Sequence, residues 1–366
     1  MKKILLAVLA IVMMIGCSGK KEENVIKIAC NLPMTGDLGY LGEKVKRGLN
    51  MALNDNIDAL SEIGYCIEID YQDNRGQSKD AVSIYRSQKL NKPDLYMSGV
   101  TSQTLALKDM VNSDGFIHHI WSFSPLFLQE NDNCYRTWLN LGIEANQYVK
   151  IIEERKAKKV AYIYVDILGC QQQCQDVVIP KVKELNPDVE ILPLPYPVTL
   201  SDMKDIVLKA NEYNPDLIII NGFKNHMINL IHNLHAYNMV NNNVIASFDL
   251  LDAYKDLNNM ELEGIAMSVP LFMIDNASEF YSVWKNDFYS IYGSEPEYTD
   301  AYAYDFGLIL VEICRQMKLN NCTFKEAINQ VDITGVTGNL SFNQKGELSI
   351  PITLCSFRNK KIVPFE

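Results

Sequence analysis

The chain has 366 residues, 48% of them hydrophobic, and a formal net charge of -11 at pH 7. This length suffices for two domains of ordinary size, each with its own hydrophobic core. The acidic balance, without clusters of lysine or arginine, argues against a nucleic-acid partner. Nine cysteines permit disulfide bonds, but their spacing does not define a pairing.

The N-terminus has the pattern of a secretory signal peptide. Two lysines precede an apolar run over residues 4–15, and Gly16-Cys17 follows. This run is shorter than the roughly 20 residues that span a bilayer, so we expect it to be removed. Residues 14–17 (Met-Ile-Gly-Cys) resemble the bacterial lipobox. The resemblance implies a signal peptide over 1–16, lipidation of Cys17 and a polar tether over 17–24. An uncleaved anchor or an ordinary signal is the alternative.

The first part of the mature chain alternates predicted strands with predicted helices. Short apolar or alternating runs are separated by segments whose apolar residues recur with helical periodicity. Such alternation implies a parallel sheet covered by helices on both faces. The predicted strands are 26–30, 67–71, 95–97 and 116–121.

The same rhythm restarts after residue 142 and predicts a second lobe. From residue 264 the order changes, because two long predicted helices, near 276–291 and 298–318, precede short strands and turns. Two such lobes are expected to bind a ligand in the cleft between them, at the carboxyl ends of their strands. The predicted strands of the second lobe are 160–165, 189–192, 217–220, 244–246 and 265–269.

Residues 95–108 are the most informative stretch. An apolar run ends at Ser98-Gly99, and the polar quartet Thr101-Ser102-Gln103-Thr104 precedes a helical apolar pattern. The first N–H groups of a helix have no internal partner and lie at the positive end of its dipole. With hydroxyl donors added, this loop suits a carboxylate or a phosphate. Plain capping of the helix by Thr101 or Ser102 is the alternative.

Five segments, in this order, carry a resemblance to a known family. They are Ile26-Lys-Ile-Ala29 with Leu32-Pro-Met-Thr-Gly36 and Gly42, Tyr71-Gln-Asp73 with Ala81, Gly99-Val-Thr-Ser-Gln-Thr104, Tyr298-Thr-Asp-Ala-Tyr-Ala-Tyr-Asp305, and Gly335-Val-Thr-Gly338 with Phe342 and Gly346-Glu347. Together they resemble the leucine/isoleucine/valine-binding proteins, the type I periplasmic binding proteins of ABC importers.

The resemblance implies an α/β fold with two Rossmann-like lobes. Each lobe has a parallel sheet, and a hinge of three chain crossings joins them. Lobe one is expected at 25–141 and 272–336, and lobe two at 142–271 and 337–366.

The resemblance also implies a ligand site. In this family, hydroxyls of the first two loops hold the ligand carboxylate, and an acid of lobe two pairs with the ligand ammonium. By position, Asp249 is that acid and Phe223 is an aromatic residue that packs on the ligand. A solvated loop carboxylate or a helix cap is the alternative role for Asp249. The implied hydroxyl residues are Thr101, Ser102, Thr104 and either Ser122 or Ser124.

Two positions depart from the amino-acid binders of this family. Leu41 and Leu168 stand where those proteins often carry tyrosine. Tyr40, one residue from Leu41, is a substitute for the first tyrosine. The second departure leaves the solute open, and urea, another small amide or a short peptide are alternatives to an amino acid.

The sequence predicts a binding protein without a cofactor or a metal. It contains no nucleophile elbow and no glycine-rich phosphate loop. His226, His232 and His235 share a predicted helix, but no carboxylate or cysteine completes a metal site with them. We therefore expect a lipid-anchored protein that delivers a small polar solute to an ABC permease complex. A bilobal sensor with a receptor partner, or a hydrolase acting in the cleft, are the alternative functions.

Overall fold

The computed structural model describes residues 24–36, 38–124, 127–128, 133–274 and 278–365. Within these ranges the chain forms a five-stranded sheet, a seven-stranded sheet and a two-stranded hairpin. The expected signal peptide, the expected lipidation site Cys17 and almost all of the expected tether lie outside the described residues. No helix in the described ranges is long and apolar enough to cross a bilayer.

The five-stranded sheet forms the centre of lobe one. It is parallel throughout, with the spatial order β2-β1-β3-β4-β5. Its first four strands match the four predicted from the sequence, and β5 is a short addition beside the hinge. Strands β3 and β4 are buried along their whole length, as expected for central strands covered on both faces. The strands are β1 (Asn24–Leu32), β2 (Tyr65–Asp73), β3 (Leu95–Gly99), β4 (Ile117–Trp121) and β5 (Cys134–Tyr135).

Seven helices cover this sheet, and two of them cross closely. A Cβ atom on Gly48 would lie 2.2 Å from the backbone oxygen of Asp300, and one on Gly307 would lie 2.4 Å from the Cβ of Ala52. Glycine at these two positions therefore lets the first and the longest helix pack at backbone distance. The helices are α1 (Gly39–Asp55), α2 (Ile57–Ile63), α3 (Ser78–Gln88), α4 (Thr101–Ser113), α11 (Glu279–Tyr292), α12 (Tyr298–Asn320) and α13 (Phe324–Ile328).

The seven-stranded sheet forms the centre of lobe two. Its order is β14-β13-β10-β9-β8-β6-β7. The first five strands of this lobe are parallel, and the last two add an antiparallel edge. The strands are β6 (Lys159–Val165), β7 (Glu190–Tyr196), β8 (Leu217–Asn221), β9 (Val244–Ala246), β10 (Ile265–Pro270), β13 (Ile352–Arg358) and β14 (Lys361–Pro364).

The helices of lobe two include one irregular segment at the cleft. Residues Gln172–Val178 form a π-helical turn between two α-helical pieces, a conformation that often marks functional sites. A 3₁₀ helix, Phe248–Asp252, follows β9. The α-helices are α5 (Leu141–Glu154), α6 (Leu168–Gln171), α7 (Ile179–Leu185), α8 (Lys204–Tyr213), α9 (Lys224–Ala236) and α10 (Asn259–Leu262).

A hairpin of β11 (Asp332–Gly335) and β12 (Gly338–Ser341) is fixed to lobe one through Asp305 of α12. This buried carboxylate accepts hydrogen bonds from the backbone N–H groups of Val336 at 2.6 Å and Thr337 at 2.8 Å, and from the Thr337 hydroxyl at 2.5 Å. The predicted lobe boundary between 336 and 337 therefore divides a hairpin whose strands pair with each other. We place the third chain crossing after Ser341 instead.

The first and third crossings between the lobes are joined to each other. The backbone N–H of Arg136 donates to Gly346 at 2.9 Å, and the N–H of Leu348 donates back to Arg136 at 3.0 Å. The fully buried guanidinium of Arg136 also contacts Glu347 Oε1 at 2.7 Å. Two of the three connections thus form one short paired ribbon.

Candidate functional site

The loops that follow the strands of the two lobes touch across the cleft. The Ser124 hydroxyl donates to Gln172 Oε1 at 2.6 Å. The ring centres of Phe123 and Phe248 lie 5.2 Å apart. A Cβ atom on Gly169 would lie 3.3 Å from the Thr101 hydroxyl oxygen. The structure therefore shows the two lobes closed on each other.

The start of α4 forms the lobe-one wall of the cleft. The residue that precedes it, Val100, has φ 64° and ψ 135°, and no side chain caps the helix. The proposed alternative of plain capping by Thr101 or Ser102 is therefore wrong. The Thr101 and Ser122 hydroxyl oxygens lie 3.1 Å apart, and both residues are buried. Helix N–H groups and two hydroxyls thus converge at one point of the cleft, which favours an anion.

The backbone at Val100 is strained. A β-branched residue at positive φ is a real outlier and costs about 1–3 kcal/mol. Its backbone N–H donates to Trp121 at 2.9 Å, which ties the loop after β3 to the end of β4. Sequence reasoning missed this residue, because neither composition nor periodicity indicates φ.

The other three predicted hydroxyl residues differ in environment. Thr104 is fully buried and its hydroxyl lies 3.0 Å from that of Ser98, which in turn lies 2.7 Å from His118 Nε2. Thr104 therefore faces the core of lobe one, and we remove it from the candidate ligand contacts. Ser102 is exposed and donates to Gln103 Oε1 at 3.0 Å. Ser124 is buried at the interlobe contact described above.

Asp249 lies in the opposite wall, on the 3₁₀ helix after β9. It is 8% exposed, and its Oδ2 accepts a hydrogen bond from the Ser247 hydroxyl at 2.9 Å. Burial, with the nearby charge of Glu144, raises the pKa of Asp249 to about 8. Among the described residues, no lysine or arginine contributes to this shift. A cation placed in the cleft would therefore satisfy a carboxylate that the protein leaves without a counter-charge.

A second buried acid, Glu144 of α5, lies behind Asp249. Its carboxylate accepts hydrogen bonds from Gln173 Nε2 at 2.8 Å and from the backbone N–H of Phe248 at 2.7 Å. Burial raises the pKa of Glu144 to about 7. Gln173 lies in the π-helical turn and also accepts from Tyr162 at 2.7 Å. This network fixes the position of the 3₁₀ helix that carries Asp249.

Three further residues form what we call the interlobe clasp: Lys44 of α1, Asp252 of lobe two and Glu297 before α12. Lys44 Nζ lies 3.4 Å from Asp252 Oδ1 and also contacts Glu297. Burial raises the pKa of Asp252 against the opposing effect of Lys44. Burial also acts to raise the pKa of Glu297, but hydrogen bonding from Asp252 and the Lys44 charge bring it below its usual value. The negative charge therefore resides on Glu297, and Asp252 retains its proton.

The two predicted aromatic contacts lie at the edge of this arrangement. Tyr40 is 38% exposed, and Lys44 Nζ lies 4.7 Å from the centre of its ring. Burial of its hydroxyl and the charges of Asp252 and Asp249 raise the pKa of Tyr40, so it remains a hydrogen-bond donor. Phe223 is half-buried at the start of α9, with its ring centre 6.1 Å from that of His226.

Cysteines and histidines form no second centre in the described ranges. Cys30, Cys170, Cys174, Cys314, Cys322 and Cys355 are free thiols, and no group of three or more metal-ligating side chains occurs among the described residues. Burial lowers the pKa of His118 to about 3, so this histidine is neutral and structural.

Comparison with solved structures agrees on the fold. A leucine-binding protein, LivK, from Thermotoga maritima is 18% identical, with 92% of this chain and 97% of that chain covered and a TM-score of 0.75. The isoleucine complex of LivJ from Streptococcus pneumoniae is 16% identical, with 93% and 98% covered and a TM-score of 0.75. A solute-binding protein of an ABC transporter from Rhodopseudomonas palustris, in complex with 3,4-dihydroxybenzoic acid, is 13% identical, with 93% and 96% covered and a TM-score of 0.79.

The sequence comparisons identify the family. No curated protein matches the chain. The family model described as "Periplasmic binding protein" matches residues 25–358, which is most of the chain and includes both lobes. This chain therefore belongs to the periplasmic binding protein family, the extracytoplasmic solute-binding proteins of ABC transporters.

Proposed function

We propose that this protein binds a small zwitterionic solute, most simply an amino acid, between its two lobes and delivers it to an ABC permease. The observation that carries the proposal is Asp249, a buried carboxylate at the cleft with no cationic partner among the described residues. The start of α4, with Thr101 and Ser122, offers the complementary site for a carboxylate.

The arrangement supports binding that is tied to lobe closure. Lobe one offers donors for the anionic end of the solute, and lobe two offers the acceptor for its cationic end. Only the closed arrangement satisfies both ends, so the solute shifts the population towards it. Charge-assisted hydrogen bonds are roughly twice as strong as neutral ones, which favours a zwitterion over a neutral amide.

The solutes bound to the structural neighbours belong to two chemical classes, amino acids and aromatic acids. One neighbour was solved with isoleucine and another with an aromatic acid. An aromatic acid has no ammonium group and would leave Asp249 facing an uncharged ring. The buried acid therefore favours the amino-acid class for this chain. We also propose that Cys17 carries the lipid anchor, which metabolic labelling with a fatty-acid probe and a Cys17→Ala variant would test.

A solute panel with matched variants tests the proposal. Melting temperatures are measured with the twenty amino acids, small amides and aromatic acids, and isothermal titration gives the affinity of any hit. A ligand at 100 times its dissociation constant stabilises the protein by ~2.7 kcal/mol. We expect one amino-acid class to shift the melting temperature.

The variant Asp249→Asn preserves size and removes the charge. Loss of a buried charged partner costs about 3 kcal/mol, which is roughly 150-fold in affinity. The control, Asp256→Asn, removes an exposed carboxylate nearby and should leave affinity unchanged. Amino-acid binding of equal strength in wild type and Asp249→Asn, or stabilisation only by acids that lack an amine, would overturn the proposal.

A further inference from the structure

A second cavity, of about 270 Å³, lies between the lobes beside the interlobe clasp. Lobe one contributes residues of α11 and the segment 295–298, and lobe two contributes Leu251, Tyr254, Lys255 and residues 360–362. Neither Asp249 nor Thr101 lines it, so it is distinct from the candidate solute site. The charged residues of its wall are Lys255, Lys285, Glu295, Glu297, Lys360 and Lys361.

The wall carries a net positive charge, because four lysines and two glutamates line it. Glu295 forms an ion pair with Lys285 at 2.7 Å, and Glu297 is held in the clasp. The three lysines from lobe two form no ion pair with another described residue, although Lys360 Nζ donates to the backbone oxygen of Lys255 at 3.4 Å. The charge of Lys255 contributes to the lowered pKa of Glu297, whereas Lys360 and Lys361 line the cavity without an ion pair among the described residues.

The backbone at Lys360 points to a role for this side chain. Asn359 and Lys360 form the turn between β13 and β14 with φ values of 53° and 59°. A two-residue hairpin turn with positive φ at both positions favours Asn-Gly. Lysine in place of glycine is thus unfavourable for the turn itself, and it adds a positive charge to the cavity wall.

We propose that this cavity binds a small multivalent oxyanion, such as phosphate or a di- or tricarboxylate. The anion would bind the lysines of lobe two while lying against α11 of lobe one, so its binding favours the closed arrangement. The volume admits such an ion together with water. The cavity is small and lies between the lobes, which suits a free ion rather than a membrane surface. Binding of the anion in this cavity does not depend on the proposed function, whereas the effect of the bound anion on solute affinity rests on it.

The test uses phosphate and citrate, titrated calorimetrically at constant ionic strength in a chloride buffer. The variant K360G removes one cation and gives the turn the residue it favours, so folding should be preserved or improved. The control K156G removes a lysine that also has positive φ, 52°, after α5 of lobe two and outside the cavity. We expect one binding event in the wild type, at least fivefold weaker binding in K360G, and wild-type binding in K156G.

A second measurement addresses the effect on closure. In the wild type, either anion should strengthen binding of the cleft solute, and K360G should lose that effect. Equal anion affinity in the wild type and K360G, or no binding of either anion, overturns the inference. If only the proposed function is wrong, no solute will bind in the cleft. The anion will still bind to the wild type, and it will bind more weakly to K360G.

Discussion

The interlobe clasp should stabilise the closed arrangement of the lobes relative to the open one. Of the three clasp residues, only Asp252 belongs to lobe two. Replacing Asp252 by alanine therefore removes the clasp contact between the lobes and leaves the contact of Lys44 with Glu297 within lobe one. No buried charge loses its counter-ion, so the variant should fold normally. The expected effect is confined to the equilibrium between open and closed lobes.

The magnitude follows from the protonation of the clasp. Because burial raises the pKa of Asp252 while the pKa of Glu297 is lowered, Asp252 acts as a neutral carboxyl group bonded to charged partners. Such hydrogen bonds contribute about 1.5–3 kcal/mol. A loss of about 2 kcal/mol lowers the closed-to-open ratio roughly 30-fold. Solute affinity should fall by up to that factor.

Calorimetric titration measures the affinity, and small-angle X-ray scattering measures the radius of gyration with and without solute. Asp252→Asn is the matched variant, because its amide donates to Glu297 and its carbonyl accepts from Lys44. It should bind within about threefold of the wild type. Affinity unchanged in Asp252→Ala, or an equal loss in both variants, would show that the clasp does not hold the lobes together.

Three further predictions concern charge, closure and stability. Since the pKa of Asp249 is raised to about 8 and a bound ammonium needs its charged form, solute binding should release a proton below pH 8. Solute affinity, measured in the Asp252→Asn background, should therefore rise from pH 6 to pH 8. Titrations in buffers of different ionisation enthalpy detect the released proton, and binding without proton release would contradict this prediction. Gly169→Val, which places side-chain atoms against Thr101, should prevent closure and abolish binding at an unchanged melting temperature; retained binding refutes it. Asp305→Ala leaves the buried N–H of Val336 and the partly buried N–H of Thr337 unpaired. It should lower the free energy of unfolding by about 3 kcal/mol in urea titration, against no change for exposed Asp332→Ala.

The sequence was sufficient to predict the alternation of strands and helices, because the period of a pattern is set within a few residues. Asp249 came from the family resemblance. The structure buries it on the 3₁₀ helix after β9, and its contact with a ligand stays a prediction. The sequence alone could not show that Thr101 faces the cleft whereas Thr104 faces the core of lobe one. Their side chains point in different directions around α4: that of Thr104 meets Ser98 of β3, and that of Thr101 meets Ser122 after β4.

The clasp was missed for a related reason. Lys44 lies next to Val45 on a helix and carries no local sign of burial in the sequence. It is buried because lobe two closes on it from more than 200 residues away. Asp252 had a usable signal, since it stands three residues after Asp249 and shares its short helix. The expected lobe boundary at 336 and 337 divides a hairpin, because the resemblance does not reveal that Asp305 holds the turn.

The paired ribbon at Arg136 and Glu347 has a mechanical consequence. Two strands bonded edge to edge resist sliding past each other but still permit twisting. The ribbon therefore favours rotation of the lobes about it over sliding of one lobe past the other. The stiffness of the ribbon then contributes to the free energy of lobe closure, and through it to solute affinity. Changes there can retune affinity from a distance, leaving the chemistry of the cleft and its choice of solute untouched.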